Sequence, residues 1–449
     1  YIIAKTLLFF LYIKTKKPFL VWISIVFDIL LIILFPLNIG YDIQFLYFVI
    51  FYSYILINYS TPIYKIEHLK FQKYLSLYFI LFNLIFIFQK IVSIDYMIGY
   101  WLANYKYGFI KRGMTGNILI NISDLFGFID LISLINLFLI IVYLLIFYLV
   151  FKIFNSKKQP LISYFIFLSP AFISFFNIDD TAIGRPEILG VLTLLYFYNN
   201  RNNLNIINFS LTVIFYTISI FSHSINVFIA PFLILLIARN KNLNYVVLLQ
   251  IFSFVLVTLI FIFMFINNTD TLFIEKQLCI DAQNLEIREN ICEGAIGWLG
   301  FSVDGNLQMI HFWQHVNQRF YLWYFLLFSI SIYPIVNSGW VNKNKSLFIL
   351  PLLSLLPLLY LAYDWGRYIW VYCFIISVFT LDSDLKSKIK IRNKNFYFVT
   401  LYSSLWYLPV ARGLRLDNIF QNMTFRLSIA LFLISYLYLF KIDKNEEIK

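Results

Sequence analysis

The sequence predicts an all-α integral membrane protein. Of its 449 residues, 61% are hydrophobic and 21% are aromatic, whereas only 13% are charged; soluble domains contain about 25% charged residues. A soluble core could not bury so much apolar surface, so the composition excludes a soluble enzyme, a disordered protein and a disulfide scaffold. The apolar runs are continuous and approach the length of about 20 residues that a helix needs to cross a bilayer, which excludes a transmembrane β-barrel.

Apolar runs predict about fourteen membrane spans in one polytopic domain that covers residues 1–449. They lie at 18–39, 43–60, 74–95, 127–152, 160–178, 187–200, 207–222, 224–239, 244–267, 320–337, 347–363, 368–382, 397–410 and 425–441. Runs 187–200 and 224–239 are short, which predicts helices that are tilted, re-entrant or broken beside a cavity.

The basic residues predict the topology. Alternate loops form two sets, one with 22 Lys and Arg residues and the other with 11. Because cytoplasmic loops are enriched in Lys and Arg, we expect the first set, and with it both termini, to be cytoplasmic. We expect the first span to act as an uncleaved signal anchor. The cytoplasmic loops contain no Walker loop and no glycine-rich phosphate cradle, which argues against ATP-driven chemistry on that side.

The largest external loop, residues 268–319, contains two of the three cysteines. Cys279 and Cys292 enclose a short segment on the side of the membrane where thiols are oxidised. We therefore expect a disulfide between them, which would stabilise the fold by about 2–4 kcal/mol. The loop carries seven acidic residues, which suits a lid or a surface that repels anions.

The external side also carries basic residues where the topology rule disfavours them. A guanidinium presents paired donors to phosphate oxygens and stays protonated. A cluster of such groups predicts a site for a diphosphate at the outer leaflet, and the candidates are Lys111, Arg112, Arg185, Arg367, Arg412 and Arg415. The alternative is local ion pairing, of Arg185 with Glu187 or Asp180 and of Arg367 with Asp364.

His223 is the candidate general base, since its ordinary pKa lies near neutral pH and it follows an apolar run. The alternative is a buried histidine satisfied by serine and backbone groups. His311 and His315 have helical i, i+4 spacing but lack the acid of a zinc-binding His-Glu-x-x-His motif. We therefore expect neither a metal nor another cofactor.

Four external motifs resemble those of a known family. Tyr107-Gly-Phe-Ile-Lys-Arg-Gly113 is similar to the GF-(V/I)-(R/K)-R-G signature of multispanning proteins encoded in bacterial surface-polysaccharide clusters. Gly184-Arg-Pro-Glu187, the stretch 223–226 and Asp364-Trp-Gly-Arg367 resemble further parts of that pattern. The family is that of the Wzy-type polymerases of O-antigen and capsule.

The resemblance implies a GT-C-like helical bundle in the bacterial inner membrane with its active site facing the periplasm. It implies transfer of a growing glycan from its lipid diphosphate to the non-reducing end of an incoming repeat unit. The expected partners are an undecaprenyl-diphosphate-linked oligosaccharide, the lipid bilayer and a chain-length-determining co-polymerase, and no nucleic acid is expected.

O-antigen ligases, which are similar in architecture, imply the roles of individual residues. The diphosphate would be held by Arg112, Arg185 and Arg367, with Arg412 or Arg415 in support. His223 would activate the acceptor hydroxyl, and Asp179 or Asp180 would do so in its place. The sequence departs from some polymerases because it has no Arg-x-x-x-Arg spacing.

Two other functions remain open from the sequence. A glycosyltransferase that uses polyprenyl-monophosphate sugars would place its catalytic acid at Asp95 and its metal-binding acids at Asp179 and Asp180. A flippase or transporter for lipid-linked sugars would need basic residues deep in a central cavity and two similar halves. The sequence shows neither of these two features.

Overall fold

The structure is a computed structural model of the 449-residue chain. It describes residues 68–383, apart from positions 94, 111, 128, 158, 160, 179–181, 202–204, 240–244, 267–270, 284–291, 293–295, 300–317 and 362–364. Several predicted features therefore lie outside the described residues: the spans 18–39, 43–60, 397–410 and 425–441, and Lys111, Asp179, Asp180, His311, His315, Asp364, Arg412 and Arg415.

The described residues form helices and turns, with no strand among them, so the predicted all-α class is confirmed for this part of the chain. The α-helices are α1 (His68–Ser93), α2 (Asp95–Leu102), α3 (Met114–Phe126), α4 (Leu131–Phe154), α5 (Leu161–Phe167), α6 (Phe175–Ile178), α7 (Glu187–Asn200), α8 (Ile206–Ser222), α9 (Ala230–Ala238), α10 (Tyr245–Ile266), α11 (Thr271–Gln283), α12 (Gln318–Asn337), α13 (Trp340–Lys343), α14 (Lys345–Leu361) and α15 (Trp365–Leu381). Short 3₁₀ helices lie at Ser224–Ile229 and Gly297–Leu299.

Capping residues explain where two of the long helices begin. The side chain of Asp130 accepts a hydrogen bond from the backbone N–H of Ser133 at the start of α4. Asn205 does the same for Asn208 at the start of α8. Each bond satisfies one of the donors that the first turn of a helix leaves without a partner.

Two predicted spans are interrupted. The run 160–178 forms α5 and α6 joined by turns. Pro170 has no N–H with which to continue the helix. In the turns, the Ser174 hydroxyl donates to the Ser169 carbonyl at 2.6 Å. The run 224–239 begins as the 3₁₀ helix and continues as α9. A break is one of the outcomes predicted for this short run, whereas the other short run, 187–200, forms the uninterrupted α7.

One helix in the described part of the chain, α4, is long and apolar enough to cross a membrane, with a mean hydropathy of 2.9. Shorter apolar helices include α8 and α15. Helix α10 leaves large apolar side chains exposed along one side, among them Leu248, Phe252, Leu259 and Phe263. The prediction of about fourteen complete spans is therefore supported only as an all-helical apolar architecture.

Helix α7 is central to the arrangement of the site, because it packs against α4, α8, α9 and α15. Polar contacts hold the C-terminal end of α7. Arg201 forms an ion pair with Asp382, and the Tyr198 hydroxyl donates to the same carboxylate at 2.9 Å. About 14 helical residues separate the two ends of α7, which corresponds to about 20 Å. The first residue of the helix, Glu187, lies at the opposite end.

Candidate functional site

Five segments bring polar side chains together around Glu187, the first residue of α7. They are α2, the loop that follows it, the turn before α7, the junction after α8 and the start of α15. Together with Glu187, the site side chains are Tyr100, Arg112, Arg185, His223 and Arg367, and these six residues are here called the arginine cluster. All are buried except Arg112, which is partly buried.

The turn before α7 is shaped by glycine and by a tryptophan. Gly184 has a φ of 83°, a conformation that glycine adopts without strain. Its carbonyl accepts a hydrogen bond from the indole N–H of Trp101 at 2.5 Å, and its N–H donates to the Tyr143 hydroxyl at 3.4 Å. These contacts attach the turn to α2 and α4, and they place Arg185 beside Tyr100.

Tyr100 contacts two of the arginines. The guanidinium carbons of Arg112 and Arg185 each lie 5.4 Å from the centroid of its ring. Arg185 also donates a hydrogen bond to the Tyr100 hydroxyl at 3.1 Å. Cation–π contacts of this kind stabilise a guanidinium by about 0.5–2 kcal/mol, so one aromatic ring holds two positive groups close together.

Glu187 connects the remaining members of the arginine cluster, Arg367 and His223. Its Oε1 atom accepts a short hydrogen bond from Arg367, and the two side chains form a buried ion pair across 180 residues of sequence. The Nε2 atom of His223 lies 3.8 Å from the same oxygen. His223 also lies beside Tyr100, with ring centroids 6.3 Å apart. The cluster is therefore continuous from Arg112 to Arg367.

The position of His223 follows from the end of α8. Its backbone is extended, with φ −160° and ψ 123°, and this ends the helix. Asn226, three residues later, donates to the carbonyls of Ser219 at 2.9 Å and Pro186 at 3.2 Å. Asn226 thus joins the end of α8 to the start of α7. Gly190 permits this close approach, since a Cβ atom there would overlap the Asn226 side chain.

Burial lowers the pKa of His223 to about 3, although the Glu187 carboxylate acts in the opposite direction. Arg112, Arg367 and Arg185 contribute to the lowering in that order. His223 is therefore neutral at neutral pH. The charged members of the cluster are three arginines and one glutamate.

Helix α11 packs beside the arginine cluster. A disulfide joins Cys279 of α11 to Cys292, the pair predicted from the sequence, with Cα atoms 5.4 Å apart. Asp281 of α11 accepts hydrogen bonds from Lys106 at 2.9 Å and from the Tyr107 hydroxyl. The hydrogen bond to Asp281 raises the pKa of Lys106 above its usual value. These contacts hold α11 against the loop that carries Arg112.

The structure brings together four of the predicted site residues: Arg112, Arg185, Arg367 and His223. Asp95 begins α2, but its side chain is outside the described residues. Arg367 pairs with Glu187, and its predicted local partner, Asp364, lies outside the described residues. Arg185 donates a hydrogen bond to Tyr100, and Asp180, one of its two predicted acidic partners, also lies outside the described residues.

Sequence reasoning missed two members of the arginine cluster. Tyr100 is one of 33 tyrosines, and nothing in its local sequence marks it. The sequence marks Glu187 as a possible ion-pair partner of Arg185 and as the last residue of the Gly184-Arg-Pro-Glu187 motif, but not as a member of the site. The available signal was its place as the single charged residue of the run 187–200, because charged groups at the end of an apolar span are usually paired or functional.

The arrangement offers guanidinium donors for an anion and one carboxylate, and it includes a neutral imidazole. Within the described residues, no group of three or more His, Cys, Asp or Glu side chains is placed to hold a metal ion. Comparison with known proteins adds no further assignment: no family model, curated protein or solved structure matches the chain.

Proposed function

We propose that the chain is a membrane glycosyltransferase that polymerises lipid-linked oligosaccharides, with the arginine cluster as its active site. Its donor is a growing glycan on a polyprenyl diphosphate, and its acceptor is the non-reducing end of a second lipid-linked repeat unit. The site faces the periplasm of a bacterial inner membrane. A GT-C-like bundle with about fourteen spans completes the proposed architecture.

The observation that carries this proposal is the convergence of three guanidinium groups, those of Arg112, Arg185 and Arg367, around Tyr100 and Glu187. Guanidinium groups held close together in a buried site attract an anion. A diphosphate supplies charge of the right sign, and its oxygens match the paired donors of guanidinium groups. Fixed guanidinium groups also stabilise the charge that develops on a diphosphate leaving group.

Exposed apolar side chains support the membrane location. Leu137, Ile141, Leu144 and Leu145 of α4 are between 44% and 50% exposed. They follow the spacing of neighbouring helical turns, so they form an apolar side of a helix that no described segment covers. Together with the exposed side of α10, this surface suits the hydrocarbon of a bilayer. The lipid carrier of the substrate would reach the arginine cluster from the same environment.

The test uses purified protein in detergent, an undecaprenyl-diphosphate-linked oligosaccharide and a chelator of divalent ions. We expect a ladder of products spaced by one repeat unit. Arg112→Ala should lower the rate by about 10²–10³-fold, because one group that stabilises the leaving charge is lost. Arg201→Ala is the matched control, since it removes a paired arginine at the other end of α7.

Other products would contradict the proposal. Transfer of one sugar from a polyprenyl monophosphate, only after a divalent metal is restored, would assign the chain to the other glycosyltransferase class. Movement of the lipid-linked oligosaccharide across vesicles without a new glycosidic bond would assign it to transport. Equal losses in Arg112→Ala and Arg201→Ala would show that the arginine cluster has no special part in the reaction.

A further inference from the structure

Both ring nitrogens of His223 are directed at protein groups. The Nδ1 atom accepts a hydrogen bond from the backbone N–H of Ile225 at 3.4 Å. A neutral imidazole that accepts through Nδ1 carries its hydrogen on Nε2. That nitrogen faces Oε1 of Glu187 at 3.8 Å. The ring therefore presents a donor to the carboxylate, and its one lone pair is already used by the backbone turn.

Glu187, unlike His223, has an acceptor atom that no described group uses. Its Oε1 atom faces both Arg367 and His223, whereas its Oε2 atom is buried and has no hydrogen-bond partner among the described residues. A buried acceptor without a partner is destabilising, and the more so when it is charged. A hydroxyl of a bound sugar would supply the missing donor.

We propose that Oε2 of Glu187 accepts the proton of the acceptor hydroxyl, and that His223 is a positioning residue for this carboxylate. The assignment rests on the proposed polymerase function and names the base of that reaction. Arg367 and His223 both lie at Oε1, so they orient the carboxylate, and Oε2 is the oxygen left to accept from the substrate hydroxyl. Carboxylates commonly serve as general bases when a hydroxyl lies within hydrogen-bond reach.

The transfer step balances without a further reagent. The acceptor hydroxyl oxygen forms a bond to the anomeric carbon of the donor sugar while the bond from that carbon to the diphosphate oxygen breaks. The electron pair of the broken bond leaves with the diphosphate, beside Arg112 and Arg185. The hydroxyl proton passes to Oε2 of Glu187, which becomes a neutral acid and later releases that proton to water.

The experiment compares Glu187→Gln, Glu187→Ala, His223→Gln and His223→Ala in the polymerisation assay. Glu187→Gln retains the shape of the side chain but cannot accept the proton, so kcat should fall by about 10²–10⁴-fold with little change in KM. Added formate, a small carboxylate, should restore part of the activity of Glu187→Ala. His223→Gln retains a donor toward Glu187, so it should lose less turnover than His223→Ala, in which Arg367 is the remaining group that orients the carboxylate.

Binding of undecaprenyl diphosphate separates a chemical role from a structural one. Glu187→Gln should bind it as the wild type does, since the arginines that contact the phosphates remain. Loss of this binding, unchanged turnover in Glu187→Gln, or no effect of formate on Glu187→Ala would each overturn the assignment of the base. In those cases the wild-type ladder still supports the polymerase function. No ladder from the wild type would overturn the function and, with it, this inference.

Discussion

Replacement of Arg367 by methionine removes the charge that faces Glu187 and retains a side chain of similar length. The side chains of Arg367 and Glu187 are only 9% and 3% exposed. Removal of one partner from a buried ion pair costs about 3–5 kcal/mol, because the other charge stays buried without compensation. We therefore expect Arg367→Met to lower the free energy of unfolding by about this amount.

The double variant Arg367→Met, Glu187→Met is the decisive comparison. Replacement of both charges by apolar groups of similar volume is often close to neutral for stability. We expect the double variant to recover most of the loss seen in Arg367→Met. Glycan polymerisation should stay absent in both variants, since neither restores the carboxylate and the guanidinium that the proposed reaction uses.

Reversible unfolding in mixed detergent micelles, followed by tryptophan fluorescence, measures these free energies. Arg201→Met is the control, because the Arg201 and Asp382 side chains are 33% and 17% exposed. More exposed ion pairs contribute about 0–1 kcal/mol, so a small loss is expected there. Equal destabilisation of the single Arg367 variant and the double variant would refute the buried ion pair, since removal of the opposite charge would then restore none of the lost stability.

Two further predictions concern the disulfide of α11 and the pH dependence of stability. Cys279→Ser should lower the free energy of unfolding by about 3 kcal/mol, the value for a closed loop of this size, and a reductant should lower the stability of the wild type but not of the variant. An unchanged wild type in reductant would contradict the disulfide. His223 has a pKa of about 3 in the fold against an ordinary 6.5, so the unfolded chain binds more protons between these values. Stability should therefore fall as the pH drops below about 6.5 toward 3, and His223→Gln should show a smaller fall; identical slopes would place the titrating group elsewhere.

The sequence predicts the bounds of a helix well where a long apolar run is the dominant signal. The run 244–267 corresponds to Tyr245–Ile266, and the run 187–200 has the bounds of α7. Long apolar stretches determine both, because a helix is the segment that satisfies its own backbone in an apolar environment. The run 160–178 was predicted as one span, although Pro170 inside it is a sequence signal for an interruption.

Four members of the site, Arg112, Arg185, Arg367 and His223, could be predicted from the sequence. The arginines are conspicuous because guanidinium groups in loops predicted to be external oppose the charge bias of membrane proteins. Their partners are not conspicuous. Glu187 and Arg367 are 180 residues apart, so their ion pair depends on the packing of α7 against α15, which no local pattern encodes.

The proposed reaction gives the carboxylate of the arginine cluster a purpose. The three arginines would hold the diphosphate, but they have no group to receive the proton of the attacking hydroxyl. When Glu187 accepts that proton in the proposed step, its negative charge is lost and the net charge of the cluster becomes more positive by one. The change coincides with the departure of the diphosphate, which gains negative charge as its bond to the sugar breaks. Proton transfer to Oε2 thus increases the positive charge of the cluster at the step where the leaving group needs it.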